Sequence, residues 1–173
     1  VLLGGDRAGG RDPAQRLSTR PVQNATRTEV AAGASIVADG AANTGGNIVV
    51  WSEKETRFDG QLSARGLTAG GFAEVSSLGL LRFAGGADLR GATGRNGMLL
   101  LDPADIYITE ASAPAGASKL SANLVGSLLA TSNVTVQTGG GSGNGDIFVQ
   151  APITWSSDHS LVLSAARHVI VNA

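Results

Sequence analysis

The apolar residues of this chain fall in short bursts, among them Ile48-Val49-Val50-Trp51, Met98-Leu99-Leu100-Leu101, Val134-Thr135-Val136 and Ile147-Phe148-Val149. Gly, Asn, Asp and Ser separate one burst from the next. Runs of this length between turn-forming residues predict short strands. One stretch departs from the rhythm. Leu124, Val125, Leu128 and Leu129 have helical spacing, and Ser121 stands where an N-cap belongs. The pattern predicts a short helix near 121–130.

The bursts repeat. Shifted by 25 residues, Gly45-Gly46-Asn47-Ile48-Val49-Val50-Trp51-Ser52 falls on Gly70-Gly71-Phe72-Ala73-Glu74-Val75-Ser76-Ser77. The same shift places Arg57-Phe58 on Arg82-Phe83 and Arg65-Gly66 on Arg90-Gly91. A degraded third copy opens at Arg95 and runs to Asp102. Near the C-terminus, Asp146 to Ala151 matches His168 to Ala173 at a shift of 22, with further apolar bursts at Ile153–Trp155 and Leu161–Leu163.

Each period holds about three apolar runs, the signature of a coil with three strands per turn. Such a coil cannot bury its own apolar residues and gains stability only by stacking on its neighbours. A sandwich built of hairpins would not hold a fixed register of this length. The sequence therefore predicts an all-β parallel β-helix (solenoid) of about 22–25 residues per coil. Glycine pairs at 45–46, 70–71 and 85–86 are expected to supply positive φ at coil corners. The organisation read from the chain is a loop-rich lead-in (1–28), coils with the 25-residue repeat (29–109), a helical and loop excursion (110–132) and further coils (133–173). Both ends read as cut from a longer repeat. Unpaired strand edges there predict end-to-end self-association.

Composition narrows the function classes. The chain has 173 residues, 25 Gly, 4% aromatic and 16% charged residues, against about a quarter charged in ordinary domains. Apolar content still reaches 42%, too high for a disordered tract. Net charge is −1 with both signs scattered, which offers no basic footprint for nucleic acid. There is no Cys, so disulfides, thiolate metal sites and cysteine nucleophiles are excluded. No apolar run is long enough for a membrane-spanning helix.

The blocks at 45–52, 56–60 (Thr56-Arg57-Phe58-Asp59-Gly60), 62–66, 71–76 and 99–106 (Leu99-Leu100-Leu101-Asp102-Pro103-Ala104-Asp105-Ile106) follow one another in an order that closely resembles filamentous-haemagglutinin-like large exoproteins of Gram-negative bacteria. Leu3-Gly4-Gly5-Asp6, Asn24-Ala25-Thr26 and the tail from Gly145 fit the same pattern. The stretch 66–71 is shorter than the usual Gly-rich insertion, and Arg7 to Arg20 blurs the family pattern. The resemblance implies a right-handed β-helix, secreted through a dedicated outer-membrane transporter barrel (two-partner secretion). It also implies action at the bacterial surface in adhesion to host cells, through a receptor or glycan, and in biofilm. The family's Asn-Pro-Asn-Gly-type secretion signals are absent from these residues, so the segment is expected to be shaft beyond the secretion domain.

Candidate sites are few. Trp51, Tyr107 and Trp155 are candidate glycan-contacting aromatics, each weighed against a place in the apolar core. The loop Gly139 to Asp146 superficially resembles a calcium-binding nonapeptide, but it occurs once, and a connecting loop is expected. Asn24 and Asn133 begin glycosylation sequons that are expected to stay unmodified. His159 and His168 read as surface residues at coil corners. Asp59, Asp88 and Asp102 could line one face as in β-helical polysaccharide enzymes, but they occupy different positions of the repeat. The expected role is thus non-enzymatic, with no catalytic, metal or cofactor residues. A polysaccharide-degrading enzyme and a carbohydrate-binding module are the alternatives.

Overall fold

A computed structural model describes residues 1–139 and 141–173. The chain winds through short strands, coil by coil. A lead-in strand β1 (Leu2–Leu3) is followed by β2 (Arg27–Val30) and β3 (Ser35–Val37). Two full coils carry the 25-residue repeat: β4 (Asn47–Ser52), β5 (Glu55–Phe58) and β6 (Gln61–Ser63), then β7 (Phe72–Ser77), β8 (Leu80–Phe83) and β9 (Gly86–Asp88). Next come β10 (Met98–Asp102), β11 (Ile106–Ile108), β12 (Ser118–Leu120) and helix α1 (Ala122–Leu128). The last coils carry β13 (Asn133–Gln137), β14 (Ile147–Val149), β15 (Leu161–Ser164) and β16 (Val169–Val171).

Every ladder is parallel, and the strands form three walls. The first wall runs β1-β4-β7-β10-β13-β15, the second β16-β14-β11-β12-β8-β5-β2 and the third β3-β6-β9. The chain is a parallel β-solenoid of about six turns, as the repeat predicts. The predicted register holds at each copy: Asn47 pairs with Phe72, Phe72 with Met98, Arg57 with Arg82, and Ile147 with Val169.

Alternation along each strand sends every second side chain inward. The inward columns of the first wall are Ile48, Ala73, Leu99, Val134, Leu161 and Val50, Val75, Leu101, Val136, Leu163. On the second wall Phe58 and Phe83 stack one coil apart, with ring centroids 5.3 Å apart and planes at 9°. Each buried aliphatic side chain contributes roughly 1.5–3 kcal/mol before ordering costs. That gain exists only between coils, so stability is a property of the stack.

Three expectations are corrected. The Gly45-Gly46, Gly70-Gly71 and Gly85-Gly86 corners do not use positive φ. Glycine is needed there because coils touch backbone to backbone: a Cβ at Gly70 would lie 1.8 Å from the Leu89 carbonyl oxygen. The stretch 110–132 does not wholly leave the coil. Its residues 118–120 form β12, inserted between β8 and β11, where Leu81 donates a backbone hydrogen bond of 2.9 Å to Ser118 Oγ. The burst at Ile153–Trp155 forms no strand. It runs beside α1, with the Thr154 carbonyl so close to Gly126 that a Cβ there would sit 2.4 Å away.

The helix forms where its spacing predicts. Ser121 caps it, accepting the Leu124 N–H, and Val125 and Leu128 are buried against the core. Its C-terminal turn binds the third wall, because the Leu89 N–H donates to the Thr131 carbonyl at 3.1 Å. Helix α1 thus continues the third wall after β9.

Candidate ligand groove on the second wall

The outward column of the second wall changes character along the axis. It reads Glu29, Arg57, Arg82, Lys119, Tyr107, Phe148 and Ile170. The lower part is charged and cross-linked. Glu55 accepts from both Arg27 and Arg82, and Arg57 donates to Asp59 at 2.7 Å. The upper part is aromatic: Tyr107 and Phe148 stack with centroids 4.4 Å apart and planes at 13°.

Beside these rings, where the first wall turns into the second, lies an open groove of about 680 Å³. Residues 115–118 of the loop before β12 border it on one side, and residues 142–144 border it on the other. Asp105 fixes the second border, accepting the N–H groups of Asn144 at 3.0 Å and Asp146 at 2.8 Å. Arg167 closes the upper end through a two-pronged hydrogen bond to the buried Asp146. That bond holds the Asp146 carboxyl below its usual range. Glu110 anchors the base of the first border loop by accepting the Asn123 N–H and the Ser121 hydroxyl, each at 2.9 Å. The Asn123 N–H first, and then the Ser121 hydroxyl, lower its carboxyl.

Of the three aromatics singled out in the sequence, only Tyr107 faces this groove. Trp51 is 2% exposed. It points outward from the first wall, but the lead-in segment lies over it, and a Cβ at Gly9 would stand 2.5 Å from its ring. It has no face open to a ligand. Trp155 is 42% exposed on another side of the molecule, and its indole N–H donates to the His159 carbonyl at 3.0 Å. Phe148, which sequence reasoning missed, completes the groove. The signal for it is Asp105-Ile106-Tyr107-Ile108 against Asp146-Ile147-Phe148-Val149, a tetrapeptide repeat at a shift of 41.

The remaining candidates scatter. Asp59 pairs with Arg57, Asp88 with Arg90, and Asp102 lies elsewhere, on the outer side of the first wall. His159 is buried, not at the surface, and among the described residues neither ring nitrogen finds a hydrogen-bond partner; Nδ1 is 3.9 Å from Asp158. His168 is exposed, with Nδ1 3.3 Å from Asp146. The Asn24 amide donates to the Gly9 carbonyl and that of Asn133 to the carbonyls of Asn96 and Gly97, so both sequon nitrogens are engaged within the fold. In the Gly-rich loop, Gly140 lies outside the described residues, and Asp146 is committed to Arg167. Among the described residues no cluster of three or more His, Cys, Asp or Glu could hold a metal ion.

The approach of Glu74 to Asp102 was not legible in the repeat. Glu74, 2% exposed, points outward from β7 and accepts the Ser76 hydroxyl at 2.6 Å and the Ala8 N–H at 3.1 Å. Arg7 lies 3.8 Å from it and also covers the Phe72 ring. Burial raises the Glu74 carboxyl. Burial, with Glu74 nearby, pushes Asp102 up to about 6, against the opposing pull of Arg11. Raised carboxylates suggest acid–base chemistry. Access argues otherwise: the space among Arg11, Trp51, Leu78, Asp102 and Gly139 is about 10 Å³, room for no more than a water.

Comparison with protein-family models, with curated proteins and with solved structures finds no match to this chain.

Proposed function

We propose that this chain is a stretch of the rigid β-helical shaft of a secreted bacterial surface adhesin of the filamentous-haemagglutinin type. The observation that carries the reading is the parallel ladder of stacked coils, with its 25-residue step from β4–β6 to β7–β9, a form that extends by adding coils and presents loops along its length. The resemblance of residues 45–106 to such exoproteins supplies the rest: export through an outer-membrane barrel partner, an extracellular location, and attachment to host cells or biofilm. A polysaccharide-degrading enzyme is the competing reading. It is disfavoured by the pairing of Asp59 and Asp88 with arginines, by the burial of Glu74 and by the lack of room beside the half-buried Asp102.

The test is antibody labelling of intact source bacteria with serum raised against this chain. Surface labelling that disappears when the partner barrel is inactivated is the expected result. Antigen found only after cell lysis would sink the reading.

A further inference from the structure

We propose that the groove over Tyr107 and Phe148 binds an extended, hydroxyl-rich oligosaccharide laid along the solenoid axis. The proposal rests on the adhesive reading and gives it a ligand class.

Three features select that class. First, the groove runs along the axis. It is lined from the level of β5, by Lys54, to the level just below β16, by Arg167. At this corner the coils step from Lys54 through Gly79, Ala104 and Asp146 to Arg167, four steps of about 4.8 Å or roughly 19 Å, the shape of a linear chain rather than of a compact ligand. Second, its floor offers one apolar patch, the stacked Tyr107–Phe148 pair, set among side chains that can donate and accept. Glu53, Lys54, Ser142 and Asn144 are exposed there and, among the described residues, their side chains make no hydrogen bond within the chain. Few apolar contacts amid many uncommitted polar groups suit a ligand with carbon faces and many hydroxyls. Third, a peptide is poorly served. The backbone of β11 is bonded on both sides, to β12 and to β14, so no free edge exists for strand addition. The mixed lining also lacks the continuous apolar stripe an amphipathic helix needs.

The borders are suited to the task. Asp105 holds one border loop through backbone N–H groups and Glu110 ties the base of the other to the start of α1, so the groove is shaped before any ligand arrives. Preorganisation of this kind lowers the ordering cost of binding.

The test uses the whole chain and a defined panel: maltohexaose, cellohexaose, chitohexaose, sialyllactose and a heparin-derived hexasaccharide. Binding is followed by calorimetry and by NMR shifts. Saturable binding to at least one oligosaccharide is expected, with shifts at Tyr107, Phe148 and Asn144. Tyr107→Ala should weaken it roughly tenfold or more, as loss of an aromatic anchor does. Ala115→Arg and Asn144→Ala, at exposed loop positions outside the ladder, should weaken it while leaving the β circular-dichroism spectrum unchanged, and Trp155→Ala should leave binding intact. Absence of saturation across the panel, or binding indifferent to both loop variants, would overturn the proposal. Surface labelling of cells without oligosaccharide binding would remove the groove and leave the shaft. Oligosaccharide binding without surface labelling would do the reverse.

Discussion

The outer faces of the first and second walls are built by the same ladder, yet they end in opposite states. On the first, the lead-in segment lies over Trp51, Glu74 and Ser76 and leaves them 2% exposed or less. On the second, Tyr107 and Phe148 stay half-buried in an open groove. All of these side chains point away from the solenoid interior. Their exposure is decided by which loop happens to pass over them. In a solenoid the inside is set by alternation within the strand, but the outside is set by segments distant in sequence. Asp6 shows how such a segment is fixed. Its buried carboxylate accepts the N–H groups of Arg7, Leu17 and Ser18, which folds the lead-in into a defined cover, and these bonds hold it below its usual range against the cost of burial.

The largest effect should come from removing what the cover encloses. Trp51→Ala deletes a fully buried indole and leaves a cavity beneath the lead-in, at a cost of about 3–5 kcal/mol. Urea unfolding should show an extrapolated stability lower by that amount and a correspondingly lower midpoint. A loss below about 1 kcal/mol would mean that the lead-in is loosely held and the two faces do not differ.

A smaller loss is expected from lifting the cover without touching the indole. Gly9 has φ +69° and packs on the Trp51 ring, so Gly9→Val meets both a left-handed backbone and a clash. About 1–3 kcal/mol should be lost, by overpacking and strain. A red shift in Trp51 emission is the direct readout, read in a Trp155→Phe background. Unshifted emission would show the cover is held elsewhere.

The division between walls also explains what could be read from the sequence. Register, strand positions and the helix with its Ser121 cap were legible, because stacking forces apolar residues to recur and Ser121, Leu124 and Leu128 follow local rules. The insertion of β12 was not, since its three residues Ser118-Lys119-Leu120 carry too little pattern to announce a strand. The corner glycines were expected for the right residue type and the wrong reason, because backbone contact between coils leaves no mark in one coil alone. Tyr107 was legible as a candidate, but its partner Phe148 required matching a shift of 41, which the insertion of β12 and α1 disguises. Burial of Trp51 depends on Gly5 and Gly9, more than forty residues away, and no period links them.

The covered face should also respond to pH, more gently. Asp102 titrates near 6 in the fold, above its usual 3.8, and Glu74 is raised as well. A carboxyl raised on folding adds stability that is complete below the ordinary value and is lost as pH rises through the folded one. Stability should therefore fall between about pH 4 and pH 7 and level off above that. The acids held low, Asp6, Asp39, Asp88, Glu110 and Asp146, act in the opposite direction only near and below the ordinary carboxylate range. Asp102→Asn should remove part of this slope and raise stability at pH 7.5 by about 1–2 kcal/mol, a discounted share of the shift for a partly hydrated group. Parallel wild-type and Asp102→Asn curves across that window would contradict the account.

The smallest expected effect lies on the open face, and it sharpens the comparison most. Tyr107→Leu keeps an apolar side chain on the outward position and leaves the inward Ile106 and Ile108 untouched. Only the stack on Phe148 and part of a half-buried surface are lost, about 0.5–1.5 kcal/mol. Thermal unfolding of this variant beside Trp51→Leu compares two outward aromatics, one under the lead-in and one open, each replaced by the same side chain. Costs within about 1 kcal/mol of each other would mean that the ladder, and not the lead-in, sets what an outward ring contributes. A gap of about 2 kcal/mol or more places the difference in the cover and leaves Tyr107 free, energetically, to serve a ligand rather than the fold.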